Sequence, residues 1–175
     1  FHGTFYVTHS VGRRWIEAGL KGNIISILAT WVWTGSPYVV PSAMSKSAIN
    51  AMTKSLAVEW GPYNIRVNAI APGPFSTEGA WARLSPKGDL DNDSSYSAIP
   101  LGRVGEMSEL QNLASFLMAD GCDYLTGQTI AIDGAQYITG GGTFSGLSKL
   151  KDSDWEEIKS MIKSTNEKDK ANRNT

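Results

Sequence analysis

The sequence contains one cysteine, Cys122. No disulfide can form within the chain, and a reducing compartment is its natural setting. No apolar run reaches the roughly 20 residues that a membrane-spanning helix needs, and no secretory leader is visible. The 16 Lys and Arg residues are scattered and balance 17 Asp and Glu to a net charge of −1. Such a balance gives little steering toward phosphates, so neither a nucleic acid nor an anionic membrane is the expected partner. No spacing of His, Cys, Asp or Glu matches a metal site. The glycine-rich turn whose backbone N–H groups cradle a dinucleotide pyrophosphate is also missing. "TGGGT", residues 139–143, lacks the following Lys-Ser/Thr of a phosphate loop and reads as a connection. The chain opens on Phe1 inside an amphipathic pattern, as a fragment would.

With 175 residues, 41% of them hydrophobic, the chain has the profile of one globular domain or a large part of one. Phe1, Phe5, Val11, Trp15 and Ile16 follow a helical repeat that Gly19 ends. "GNIISIL" (22–28) is a short β-branched run suited to a strand buried on both faces. A loop through Thr34, Gly35, Ser36 and Pro37 follows. Pro41 then opens a long helix striped by Met44, Ala48, Ile49, Met52, Leu56 and Ala57, which ends near Gly61 and Pro62. "IRVNAIAP" (65–72) is the next strand, and residues 75–100 form a polar, irregular stretch that reads either as a lid or substrate loop or as plain disorder. Ser108 with Gln111 forms a capping-box pattern for a further helix, and "QTIAIDG" (128–134) supplies a third strand. Ser153 with Glu156 caps a last helix around Trp155 to Lys163, and after Thr165 the chain is expected to fray. Strands alternating with helices imply right-handed crossovers and an open parallel sheet of about three strands.

The chemistry concentrates in "ILATWVWTGSPYVVPSAMSK", residues 27–46. Ser42 and Lys46 stand one helical turn apart on one helix face. Alone, this pair reads more readily as a solvated helix start than as a catalytic pair, and Trp31 and Trp33 as packing residues.

The runs "GNIISI", "PSAMSKSAINAMTKSLAVEWGPYNIRVNAIAPGP", "IPLGRVGEMSELQNLASFLMAD" and "TGQTIAIDG" resemble, in order and spacing, the C-terminal half of short-chain dehydrogenase/reductases. The likeness runs from about His2 to Ile138. It implies the C-terminal half of a Rossmann-type, doubly wound parallel α/β sheet at residues 1–140, followed by an extension at 141–175. Most members carry Tyr-x-x-x-Lys with a serine thirteen residues earlier, whereas Ser42 stands here at the tyrosine position and Ala29 at the serine position. The 2,4-dienoyl-CoA reductases share Ser-x-x-x-Lys and place a tyrosine in the loop after the strand. "VVPSA", "AVEWG", "APGPF", "EGAWARL" and the tail "TFSGL" with Trp155 are similar to the same branch.

The resemblance implies NADPH, an acyl-CoA thioester, and reduction of a conjugated diene to an enoyl-CoA. It casts Lys46 as the holder of the nicotinamide ribose and Ser42 as its orienting partner. Pro72, Gly73, Pro74 and Phe75 form the turn beside the nicotinamide, and Arg83 is a contact to the CoA moiety. Trp31 stands where the branch has its tyrosine, and its indole N–H is the remaining candidate to donate to the developing thioester oxyanion. Loss of one such donor costs roughly 10²–10³ in rate, so weakened or altered activity is expected. Tyr38 is an alternative donor. His2, where many relatives have an asparagine, is read as a packing residue, and Asp133 as the shaper of a turn.

Two rival readings stand beside this one. One is a silenced homologue that binds acyl-CoA or serves as a subunit; the other is a dehydrogenase of the same superfamily with another carbonyl or alcohol substrate. The resemblance also implies a homotetramer. It leaves the compartment open among bacterial cytoplasm, mitochondrion and peroxisome, and the terminal "NRNT" is not a peroxisomal Ser-Lys-Leu signal.

Overall fold

The computed structural model describes residues 1–75, 98–140 and 144–173. The chain divides into two compact units, Phe1–Thr139 and Gly140–Thr175.

In the first unit, helix α1 (His2–Ala18) ends where Gly19 turns left-handed at φ 66°, a conformation glycine adopts without a Cβ penalty. Strand β1 (Gly22–Ile27) follows, then the short helix α2 (Trp31–Thr34) and the long helix α3 (Val40–Trp60), with Pro41 in its first turn. A 3₁₀ turn over Gly61–Tyr63 leads into β2 (Ile65–Pro72). Helix α4 (Met107–Met118), strand β3 (Thr129–Ile132) and the short helix α5 (Gln136–Thr139) complete the unit. The three strands are parallel, in the order β1-β2-β3. Helices flank them, as the alternating sequence pattern requires.

Every residue of β2 from Ile65 to Ala71 is buried. Side chains alternate across a strand, and β2 divides accordingly. Ile65, Val67, Ala69 and Ala71 belong to the two apolar clusters built with Ile49, Met52, Ala57 and Trp60 of α3, while Phe5, Trp15 and Ile16 of α1 pack against them. Arg66 and Asn68 face the other way. Arg66 donates to the carbonyls of Leu117 (2.9 Å), Ala119 (3.2 Å) and Leu125 (3.2 Å). Asn68 donates to the Leu125 carbonyl at 2.9 Å and accepts from the Gln128 N–H at 3.0 Å. The bonds to Leu117 and Ala119 satisfy carbonyls that the end of α4 leaves without helical partners.

β1 departs from the expected strand buried on both faces. Among the described residues it is an edge strand, and most of it is only half-buried. The opening of α4 also differs: Glu106, not Ser108, is the N-cap, and its partner is Glu109. Glu109 accepts from the Glu106 N–H at 2.8 Å and from both terminal nitrogens of Arg103 at 2.9 and 2.7 Å. The hydrogen bonds from Arg103, then that from the Glu106 backbone, lower the Glu109 carboxyl pKa to about 2.

In the second unit, a 3₁₀ turn over Ser145–Lys149 precedes helix α6 (Asp152–Arg173). Asp154, not Ser153, caps it by accepting from the Lys151 N–H at 2.8 Å. The helix continues well past Thr165, where fraying was expected. Glu, Lys and Ala favour the helix there, and bonds such as Lys159 to Glu156 (2.6 Å) and Thr165 to the Met161 carbonyl (3.0 Å) lie along it.

Candidate active site

In an open parallel sheet, ligands bind in the crevice beyond the carboxyl ends of the strands. Residues 28–46, 73–75 and 133–139 follow the carboxyl ends of β1, β2 and β3, and they include most of the residues singled out from sequence. Ser42 and Lys46 lie on α3, both half-buried. The Lys46 ammonium donates to the Ile27 carbonyl at 2.6 Å, which anchors it at the end of β1. An ammonium has three donors. The two not directed at Ile27 suit the hydroxyl acceptors of a ribose, so Lys46 fits the nicotinamide-ribose end of a dinucleotide. A pyrophosphate cradle is missing from the sequence itself.

Ala29 is buried at 6% exposure and Thr30 at 9%. Trp31 opens α2 and is half-buried. Its Nε1 is closed off from solvent and has no hydrogen-bond partner among the described residues. The indole N–H is therefore not presented to an open crevice; donating to a bound oxyanion requires the ring or its surroundings to move. Tyr38, the alternative donor, is completely exposed and sits at φ 64°, a left-handed conformation uncommon for an aromatic residue.

Pro72, Gly73, Pro74 and Phe75 are all half-buried at the end of β2. The absence of a side chain at Gly73 has a local cause. A Cβ there would lie 2.5 Å from Asp133 Cβ and 2.8 Å from Asp133 Cα, so the glycine admits the turn that follows β3. The Phe75 ring lies where a Cβ on Gly105 would stand. Phe75 pairs with Gly105 in an isolated parallel bridge, and the Gly105 N–H donates to the Pro74 carbonyl at 3.0 Å. Both residues thus hold the turn to the returning chain. Arg83 and most of the expected substrate loop lie outside the described residues.

Asp133 shapes a turn, as its sequence context implies. Its two carboxylate oxygens accept from the N–H groups of Ala135 (3.0 Å) and Tyr137 (2.8 Å). Tyr137, which nothing in the sequence singled out, stacks on Trp33 with ring centroids 4.7 Å apart and an interplanar angle of 28°. His2 is exposed on α1, where its ring neighbours those of Phe1 and Tyr6. No cluster of three or more metal-ligating side chains occurs among the described residues, and no described helix is long and apolar enough to cross a membrane.

Residues 1–135 match the family described as enoyl-(acyl carrier protein) reductase. A probable 2,4-dienoyl-CoA reductase, (3E)-enoyl-CoA-producing, of Caenorhabditis elegans is 39% identical over 173 residues, covering 97% of this chain and 56% of its own. A short-chain dehydrogenase of Bacillus anthracis superposes with a TM-score of 0.67 at 43% identity, covering 78% of this chain and 52% of its own. Solved neighbours hold either nicotinamide cofactor. A 4-hydroxyisoleucine dehydrogenase carries NADH (29% identity, TM-score 0.71, 78% of this chain and 55% of its own). An actinorhodin polyketide ketoreductase variant carries NADPH (27% identity, TM-score 0.71, 78% and 56%). The chain spans about half the length of the curated relatives it matches.

Proposed function

The chain belongs to the short-chain dehydrogenase/reductase superfamily, and we propose that it forms the reaction side of an NADPH-dependent reductase of acyl-CoA thioesters, with a 2,4-dienoyl-CoA as substrate. The observation that carries this reading is the Ser42–Lys46 pair, with Lys46 fixed to the end of β1 through the Ile27 carbonyl, in a chain similar to a 2,4-dienoyl-CoA reductase.

On this reading NADPH, when bound, supplies a hydride to the far end of the diene. Lys46 holds the ribose hydroxyls with its two remaining donors. Its positive charge also favours the negative charge that shifts to the thioester oxygen as the diene is reduced. Ser42 orients the ammonium or the thioester, and Arg83 contacts the CoA moiety. Assembly into a homotetramer, checked by sedimentation of the full-length product, belongs to the same proposal.

A second reading is favoured by the closed environment of the Trp31 N–H: a silenced homologue that binds acyl-CoA without turning it over. The two are separated by following NADPH oxidation with 2,4-hexadienoyl-CoA in the full-length gene product and its Trp31→Tyr variant. The active-enzyme reading expects measurable native turnover that rises by roughly 10²–10³ when the phenol is restored. Native silence with activity in Trp31→Tyr establishes the second reading. Native turnover that survives Lys46→Ala unchanged refutes the site.

A further inference from the structure

Trp33 and Tyr137 meet across a gap that the topology makes wide. Trp33 lies in the first helical turn after β1 and Tyr137 in the first after β3, and β2 lies between those strands. Adjacent strands are about 4.8 Å apart, so the two chain segments leave the sheet roughly 10 Å from one another. The rings nevertheless stack at 4.7 Å. The pair therefore joins the segment that follows β1 to the segment that follows β3, at the carboxyl end of the sheet.

The bridge is held in place from the β3 side. Asp133 grips the Tyr137 backbone N–H at 2.8 Å. Gly134 and Ala135 both adopt positive φ, 62° and 70°, and the left-handed conformation is unfavourable for alanine. Strain of this kind persists only where surrounding bonds fix it, and here the Asp133 carboxylate also accepts from Ala135 at 3.0 Å. Trp33 stays 40% exposed despite the stack. Part of the indole thus remains open to solvent, in the segment between β1 and the Ser42–Lys46 helix.

We propose that the Trp33–Tyr137 stack is a specificity element that grips the flat, conjugated part of an unsaturated acyl thioester. The inference rests on the acyl-CoA reading above and adds the residues that select planarity. A conjugated diene thioester is flat and offers a π face to an indole, whereas a saturated acyl chain is neither flat nor π-bearing. Neither ring carries charge, so the pair suits the acyl portion and not the phosphates of CoA.

The test is calorimetric binding of 2,4-hexadienoyl-CoA, hexanoyl-CoA, free CoA and NADPH to the full-length gene product and to Trp33→Ala, Tyr137→Ala and Trp33→Phe. Both alanine variants are expected to weaken hexadienoyl-CoA binding by up to about tenfold, with hexanoyl-CoA, CoA and NADPH unaffected. Trp33→Phe, which keeps a ring, is expected to retain most of the preference. Should the alanine variants fail to fold, Trp33→Phe decides: loss of the whole preference in a folded protein overturns the proposal. Equal losses for hexadienoyl- and hexanoyl-CoA, no loss, or a loss confined to NADPH also overturn it. If the native protein binds no acyl-CoA at all, the functional reading falls with it. If it binds without turnover, only the catalytic reading falls, and the affinities still judge the stack.

Discussion

Replacing Gly73 by alanine tests whether the turn at the end of β2 is set by contact with the next strand. The ideal Cβ would lie 2.5 Å from Asp133 Cβ and 2.8 Å from Asp133 Cα, against the ~3.5–4.0 Å at which carbon atoms rest. The two segments must separate by about 1 Å to admit it. One obstacle is backbone, so no rotamer change relieves the clash. The Gly73 N–H also donates to the Ile132 carbonyl at 3.0 Å, and separation weakens that bond. Overpacking of this kind costs about 1–3 kcal/mol. For a domain of this size the unfolding midpoint should fall by roughly 2–12 °C. Gly61→Ala is the control, because nothing lies within 4 Å of its Cβ position and its φ of −52° suits alanine. It should be neutral or stabilising by up to ~1 kcal/mol. The assay is thermal unfolding of the full-length gene product followed by circular dichroism. A Gly73→Ala midpoint equal to the native one would refute the steric argument. A midpoint that falls equally in both variants would show that losing any glycine is what matters.

Two further outcomes concern polar groups that the fold positions. Asn68→Ala leaves the Leu125 carbonyl and the Gln128 N–H without the partners they now have inside the protein. The expected loss is about 2–4 kcal/mol by urea denaturation, and a loss below ~1 kcal/mol would show that water replaces the side chain. Glu109 has a folded pKa of about 2 against an ordinary 4.5. Its contribution is therefore fully present above pH 4.5 and is lost as pH falls toward 2. The stability gap between the native protein and Glu109→Gln, followed by thermal unfolding, should be small because the pair is exposed, and it should close across that window. A gap that does not vary with pH would mean that the Arg103 pairing contributes nothing.

Much of the fold was legible because local rules and packing agree. The end of α1 at Gly19, the stripe of α3 from Ala48 onward and the three parallel strands each follow from periodicity and terminators that the tertiary structure reinforces, whereas Met44 at the head of the stripe is exposed. Where competing caps were available, the sequence was ambiguous. Glu106 displaced Ser108 because Glu109 reaches the Glu106 N–H while Arg103 holds its carboxylate in place, and Arg103 lies outside any local capping pattern. α6 extends further than its polar composition implied, because helix propensity needs no apolar face to act.

The sequence by itself determined the class of the chain and a candidate for its chemistry: a three-stranded parallel α/β unit and a Ser42–Lys46 pair one turn apart. Those follow from spacing along the chain, which the helical and strand repeats convert directly into shared faces. Only the tertiary structure decided which groups meet. It turned Arg66 inward to cap α4 and Asn68 inward to the Leu125–Gln128 segment, closed the Trp31 N–H away from solvent, set Gly73 against Asp133, and laid Tyr137 on Trp33. Each of these depends on residues tens of positions apart or on the depth at which an atom is buried. Sheet order and packing fix both, and no pattern of neighbouring residues encodes them.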